Sequence, residues 1–209
     1  MPDYAIESGY AGPVVGLDEA GRGCLAGPVV AACAFLDPGK IPPALLSVIN
    51  DSKKLSEPRR VEVAGALRKL PSDAFASAFA RVEAAEIDRI NILNASLKAM
   101  EIAYSRLCGI LPRPPVMALV DGNRPPAIDP CRCIVGGDSK SLSVAAASII
   151  AKVEKDRALG GLGARFPVYG FAANKGYPTA GHIKALNAFG PCPAHRKTYA
   201  PVARLIASA

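Results

Sequence analysis

Residues 14–36, VVGLDEAGRGCLAGPVVAACAFL, decide how this chain folds. Val14, Val15 and Leu17 form one short apolar run and residues 27–36 (GPVVAACAFL) a second, which predicts two buried strands joined as a hairpin. The adjacent acids Asp18 and Glu19 fall where the first strand leaves the sheet. Two carboxylates in that position cost folding energy unless something compensates them, and a divalent cation with hard oxygen ligands would do so. Gly21, Arg22 and Gly23 follow directly, and the glycines let backbone N–H groups approach an anion with no Cβ in the way. The same letters also describe an ordinary acidic turn, so this segment alone leaves both readings open.

The chain has 209 residues, enough for one well-buried core with a small appended lobe and too few for two ordinary domains. Its 25 Lys and Arg against 18 Asp and Glu give a formal charge of +7, which favours a polyanionic partner without requiring one. Cys24, Cys33, Cys108, Cys131, Cys133 and Cys192 show no paired C-x-x-C spacing, and several sit in apolar runs, so reduced, buried thiols in a cytoplasmic protein are expected. The first residues, MPDYAIESGY, lack a basic-then-apolar leader pattern. The longest apolar run, 24–36, is too short to span a bilayer as a helix, so no membrane role is expected.

Beyond the hairpin, Ser56 followed by Glu57 and Pro58 marks a helix start, leaving Lys53 and Lys54 in the loop that feeds it. A third strand is expected over 74–80. A helical region covers about 84–108, with Asn91 and Asn94 near a turn at the start of NILNASLKAM. VMALVDGN reads as a strand ending on Asp121, and CRCIVGGDSKS as a short one ending on Asp138. From Ser141 a helix is predicted with Leu142, Ala146, Ile149 and Val153 on one face and Lys152, Lys155 and Arg157 near its basic end. The remainder, from about 160 to 209, reads as a small helical C-terminal lobe. Strands mixed with helices, hairpin first, predict an α/β mixed sheet flanked by helices in a single unit, 1–209.

Asp18, Glu19, Asp121 and Asp138 come from three strand ends, and a sheet that sets those strands side by side would gather four carboxylates at one edge. Hard oxygens without Cys or His nearby select Mg²⁺ or Mn²⁺ over zinc. Two such ions roughly 3.5–4 Å apart can activate a water and stabilise the leaving oxygen of a phosphodiester. A dinucleotide-binding glycine loop is excluded, because GRGCLAG lacks the G-x-G-x-x-G spacing and leads into a strand.

The strings GLDEAGRGCLAGPVV, DSKKLS, NILNASLKAM, VDGN, GDSKSLSVAAASIIAKVEKDR and YGFAANKGYPTAGHIKAL, taken in order, closely resemble the ribonuclease HII family. The resemblance implies a ribonuclease H-like fold and an endonuclease. Its implied substrates are the RNA strand of RNA/DNA hybrids and duplex DNA cut 5′ to a single ribonucleotide, with 3′-hydroxyl and 5′-phosphate products. It implies that Asp18, Glu19, Asp121 and Asp138 hold two Mg²⁺ or Mn²⁺ ions during catalysis. It also implies that Gly21, Arg22 and Gly23 contact the 2′-hydroxyl and the junction phosphate, and that Tyr177 stacks on the next sugar.

Lys53, Lys54 and Lys140 are read as charges that reach phosphates. Asp156 is read as a solvated helix acid among Lys155 and Arg157 rather than as a ligand. His182 and His195 are read as polar helix or surface residues without a catalytic part. Cys24 departs from the proline usual after the family's GRG, which is expected to change the stiffness of the turn while sparing the ligands. The related ribonuclease HIII carries a separate N-terminal domain, for which the 17 residues before Asp18 leave no room. A non-catalytic nucleic-acid-binding protein of the same fold is the alternative, though four concentrated carboxylates facing phosphates would not help a pure binder. A monomer is expected.

Overall fold

In a computed structural model of the chain, which describes residues 1–50 and 52–208, β1 (Val14–Ala20) and β2 (Val29–Leu36) pair antiparallel, with Leu17 opposite Cys33. Asp51, the first letter of DSKKLS, and Ala209 lie outside the described residues. Val15, Leu17, Val29, Ala31 and Cys33 enter one apolar cluster, while Ala32, Ala34 and Leu36 enter another across the sheet. Strands covered on both faces carry unbroken apolar runs rather than alternation, which is why both were readable.

β3 (Phe75–Val82) pairs antiparallel with β2, β4 (Met117–Asp121) parallel with β1, and β5 (Cys131–Ile134) parallel with β4. The order β3-β2-β1-β4-β5 is the expected mixed sheet. Its helices are α1 (Pro43–Leu46), α2 (Glu57–Leu67), α3 (Ala84–Ile90), α4 (Ile92–Cys108), α5 (Leu142–Arg165), α6 (Phe171–Asn174), α7 (Ala180–Phe189) and α8 (Ala200–Ala207). α4 lays Ala95, Ala99, Met100, Ala103 and Leu107 on one face of the sheet, and α5 with α2 covers the other. Ser56 caps α2 by accepting from Arg59 N–H, as its sequence indicated.

Several expectations are corrected. The third strand runs on to Val82. The turn expected near Asn91 is found there: its φ of 65° ends α3 while its side chain accepts from Asn94 N–H to start α4. The strand expected to end on Asp138 ends at Ile134, and Asp138 sits in a 3₁₀ turn, Gly137–Ser139, entered through the Gly136-Gly137 pair. His182 and His195 are buried, 0% and 1% exposed, where polar helix or surface positions were expected. Aromatic side chains of the C-terminal segments close over both. All six cysteines are free, and Cys24, Cys33 and Cys192 are the buried ones. Among the described residues no helix is long and apolar enough to cross a membrane.

The placement of α5 matters most for the site. Its start is held by Ser141, which accepts from Val144 N–H, and by the buried Glu7, whose carboxylate accepts from Ser141 Oγ at 2.6 Å, Ser143 N at 2.9 Å and Ser143 Oγ at 2.7 Å. A carboxylate at the positive end of a helix is favourable. From there α5 crosses β1 at Gly16 so closely that a Cβ on Gly16 would lie 2.1 Å from Ser143 C and 2.2 Å from Val144 N. Both neighbours are backbone, which cannot rotate aside. Gly16→Ala is therefore expected to destabilise the protein by about 3 kcal/mol or more, or to prevent folding, as read by urea denaturation. Gly65→Ala, within α2 and with no atom within 4 Å of the added carbon, serves as the control and should instead stabilise by up to about 1 kcal/mol.

Candidate active site

The parallel register of β1 and β4, Leu17 opposite Val120, carries Asp18 and Asp121 to neighbouring strand ends. Asp121 Oδ1 accepts from Gly137 N–H at 2.7 Å, which ties β4 to the turn that bears Asp138. Asp138 Oδ2 lies 3.6 Å from Lys53 Nζ. Burial pushes the Asp18 carboxyl well above its ordinary range, and the charges of Glu19 and Asp121 push it further, against hydrogen bonds from Ser148 and Glu19 N–H. Burial also raises Glu19, opposed by the Arg22 guanidinium at 3.3 Å. Among the described residues no three carboxylate, imidazole or thiolate groups close into a metal cage of their own. Asp18, Glu19 and Asp121 thus neighbour one another at the sheet edge, with Asp138 in the turn tied to Asp121, and they do not form a finished coordination shell.

Two cavities open beside them and share Glu19 and Arg22. One, about 230 Å³, is lined by Asp18, Glu19, Gly21, Arg22, Gly23, Lys53 and Tyr177 together with Ser52, Ser148 and Lys152. The other, about 330 Å³, runs along α4 past Ser96, Leu97 and Met100 to Asp121, Asn123 and Arg124. Consecutive strand residues point to opposite faces, so the adjacent acids serve both sides of the sheet edge. Lys54 is exposed beside Lys53, whereas Lys140 turns back to donate to the Val135 carbonyl at 2.7 Å.

The hairpin loop is fixed by the distant C-terminal segments. Gly21 has φ +97°, and a Cβ there would sit 3.1 Å from both Lys155 Cγ and the Pro28 carbonyl. The Arg22 carbonyl accepts from Arg196 Nη1 at 2.9 Å and Tyr199 OH at 2.6 Å. Leu25 N–H donates to the Gly176 carbonyl at 2.8 Å. Cys24 is buried, and its thiol donates to the Lys175 carbonyl at 3.4 Å, a bond that proline could not make. The departure at Cys24 therefore adds a tie between the loop and the segment before Tyr177.

Asp156 is not the solvated acid expected of it. It is 6% exposed and pairs with Lys155 Nζ at 2.7 Å, Lys152 Nζ at 2.8 Å and, more loosely, Arg60 Nη2 at 3.7 Å. Burial works to raise its carboxyl, but the bonds from Lys152 and Lys155 overcome this and hold it below the usual range. The two lysines carry the Tyr177 ring, with Lys155 Nζ 4.8 Å and Lys152 Nζ 5.9 Å from its centroid. In the sequence alone Lys152 and Lys155 read as the basic end of a helix. The available signal was their i, i+4 and i−1 spacing about Asp156.

A mixed five-stranded sheet with acids at the ends of its central parallel strands defines the ribonuclease H-like class of nucleases. The family model for Ribonuclease HII matches residues 15–202, and the chain belongs to that family. Ribonuclease HII of Paramagnetospirillum magneticum is 49% identical over 205 residues, covering 98% of each chain. The crystal structure of ribonuclease H2 from Pyrococcus horikoshii OT3 superposes with a TM-score of 0.73 at 25% identity, over 94% of this chain and 98% of that one. Bst-RNase HIII in complex with Mn²⁺ shares the fold, with a TM-score of 0.72 at 21% identity over 94% of this chain and 70% of its own. The protein is thus a ribonuclease H, a hydrolytic endonuclease of RNA/DNA hybrids.

The Asp156 cluster yields a stability prediction. Asp156→Asn leaves Lys155, 0% exposed, without its nearest counter-charge, and is expected to cost about 3–5 kcal/mol at neutral pH. Because the folded carboxyl titrates below its unfolded value, its stabilisation is full above about pH 4 and is lost as pH falls through the lower folded value. Denaturation of both proteins from pH 7 to pH 2 checks this: the gap between them should narrow on the acid side.

Proposed function

We propose that the 230 Å³ cavity receives the junction where a ribonucleotide follows a deoxyribonucleotide, and that the enzyme cuts the phosphodiester on the 5′ side of that ribonucleotide. The observation that carries the reading is the composition of that single cavity: the acid pair, the glycine-arginine loop, Lys53 and Tyr177 line it together. Asp18, Glu19, Asp121 and Asp138 are the groups that would hold Mg²⁺ or Mn²⁺. Their oxygen-only donors suit such ions, and the upward pull on Asp18 and Glu19 is the electrostatic cost that a divalent cation would reverse. When bound, two such ions lower the pKa of a water and stabilise charge developing on the leaving oxygen.

The chain's own groups account for the choice of substrate. A 2′-hydroxyl both donates and accepts, so the close backbone of Gly21, Arg22 and Gly23 can distinguish ribose from deoxyribose. Tyr177 offers a ring face to the following sugar, which favours deoxyribose there. Lys53 and Lys152 place positive charge beside the phosphates. Release of O3′ from the preceding nucleotide leaves a 3′-hydroxyl, and the ribonucleotide keeps a 5′-phosphate.

The test is cleavage of an end-labelled DNA duplex carrying one ribonucleotide, in Mg²⁺ or Mn²⁺ and in EDTA, with all-DNA duplex as control. Metal-dependent cutting 5′ to the ribonucleotide, abolished in Asp121→Asn, is expected. Binding without cutting under either metal would defeat the reading in favour of a binding protein. Tyr177→Ala should weaken substrate capture about tenfold, the worth of one aromatic stacking contact.

A further inference from the structure

The buried histidines form an ordered chain of hydrogen bonds that ends on Tyr177. His182 Nδ1 lies 2.8 Å from the Tyr177 carbonyl, which also accepts from Thr179 N–H at 2.8 Å. His182 Nε2 lies 3.0 Å from His195 Nε2, and His195 Nδ1 accepts from Cys192 N–H at 3.0 Å, with Cys192 Sγ 3.2 Å away. The two ends fix every proton between them. A carbonyl can only accept, so His182 Nδ1 carries hydrogen; a backbone amide can only donate, so His195 Nδ1 is bare. Neutral His182 then presents a bare Nε2, and His195 supplies the Nε2 hydrogen that fills the 3.0 Å gap.

The surroundings favour the neutral pair. Tyr169 meets His195 edge-on at 4.8 Å and donates its hydroxyl to the Gly190 carbonyl, while Phe171 stands 5.3 Å from His182 and 5.6 Å from His195. The titratable groups facing the pair are Cys192 and Tyr169, and from α3 Asp88, which lines a cavity with His195 and Lys197. Asp88 is already engaged by the amides of Lys197 and Thr198 and by the Thr198 hydroxyl. Burial lowers the pKa of His182, and burial with the neighbouring imidazole lowers His195 to about 4.

We propose that His182 and His195 are positioning residues, a neutral imidazole pair locked in opposite tautomers that fixes the peptide of Tyr177 and so aims its ring at the substrate. This rests on the functional reading of Tyr177 given above, and the experiment separates the two. The chain has only two histidines, so histidine labelled with ¹⁵N gives two ring systems in long-range proton–nitrogen spectra of the intact protein. At pH 7 one should be the Nδ1–H tautomer and the other Nε2–H, assigned through His182→Asn and His195→Gln. Two Nε2–H rings, or an imidazolium at that pH, would overturn the relay whatever the protein cleaves.

The functional arm uses the duplex with one ribonucleotide. His182→Phe, which keeps a ring and loses the donor, should raise KM about fivefold with little change in kcat. His182→Asn, with an amide close to the Nδ1 position, should recover most of that loss. In a Tyr177→Ala background His182→Phe should add nothing. Additive losses, or a fall in kcat that Asn does not rescue, would make the pair merely structural and overturn the proposal. Failure of the unaltered enzyme to cut this duplex would overturn the functional reading and the substrate half of the proposal, with the tautomer spectrum still deciding the relay.

Discussion

The absence of a side chain at Gly16 is the constraint on which the site depends. With the α5 backbone resting on β1 at that point, everything α5 carries is set against the strand that bears Asp18 and Glu19. Ser148, one turn or so beyond the contact, reaches Asp18; Lys152, the next turn, lines the cavity; Lys155 packs its stem on Gly21. A helix pushed outward by one methyl group would open these contacts together, because consecutive turns of a rigid helix cannot adjust separately. Glu7 serves the same end from the opposite side, holding the first turn by three bonds to one carboxylate oxygen.

The charge pattern follows from that geometry. The sheet edge concentrates acids, and burial with mutual repulsion drives Asp18 toward protonation. Farther along α5, cations gather about the buried acid Asp156. The two clusters do not neutralise each other directly. On the proposed reading the acids would take up cations, while Lys53 and Lys152, which line the cavity, would meet the phosphates. Lys53 lines the cavity while 3.6 Å from Asp138.

How much of this was legible depends on whether a residue's neighbours lie in its own segment. The strands of the hairpin were legible because burial on both faces writes an apolar run, and Ser56-Glu57-Pro58 because a cap is a local device. Asp18, Glu19 and Asp121 fall at neighbouring strand ends as expected, whereas Asp138 sits in a turn rather than at a strand end. Asp156 was misread because KVEKDR looks solvated until α2 brings Arg60 across it. His182 and His195 have no spacing that signals a pair, and their meeting exists only once the loop at 190–199 folds back on α7. The break at Asn91 was legible as a turn, because asparagine tolerates a positive φ and its side chain caps the next helix locally.

On the proposed reading, the docked C-terminal segments would also account for the specificity of a loop of glycines. A flexible glycine turn would lose much of its binding energy in becoming ordered. Here the ordering is done in advance. The Arg22 carbonyl is engaged by Arg196 and Tyr199, and a trans peptide sets its N–H opposite its C=O, so the Gly23 N–H is directed away from Arg196. Arg196 is fully buried and bonds to the carbonyls of Arg22 and Gly27. Its positive charge beneath the loop adds to the pull of the outward amide on an anion. Cys24 and Leu25 join the same loop to residues 175–176, so the turn that would read the 2′-hydroxyl and the tyrosine that would read the next sugar are held in one hydrogen-bonded frame. On the proposed reading, ribose recognition on one side and deoxyribose recognition on the other would become one geometric requirement, met by a strand that changes sugar at that step.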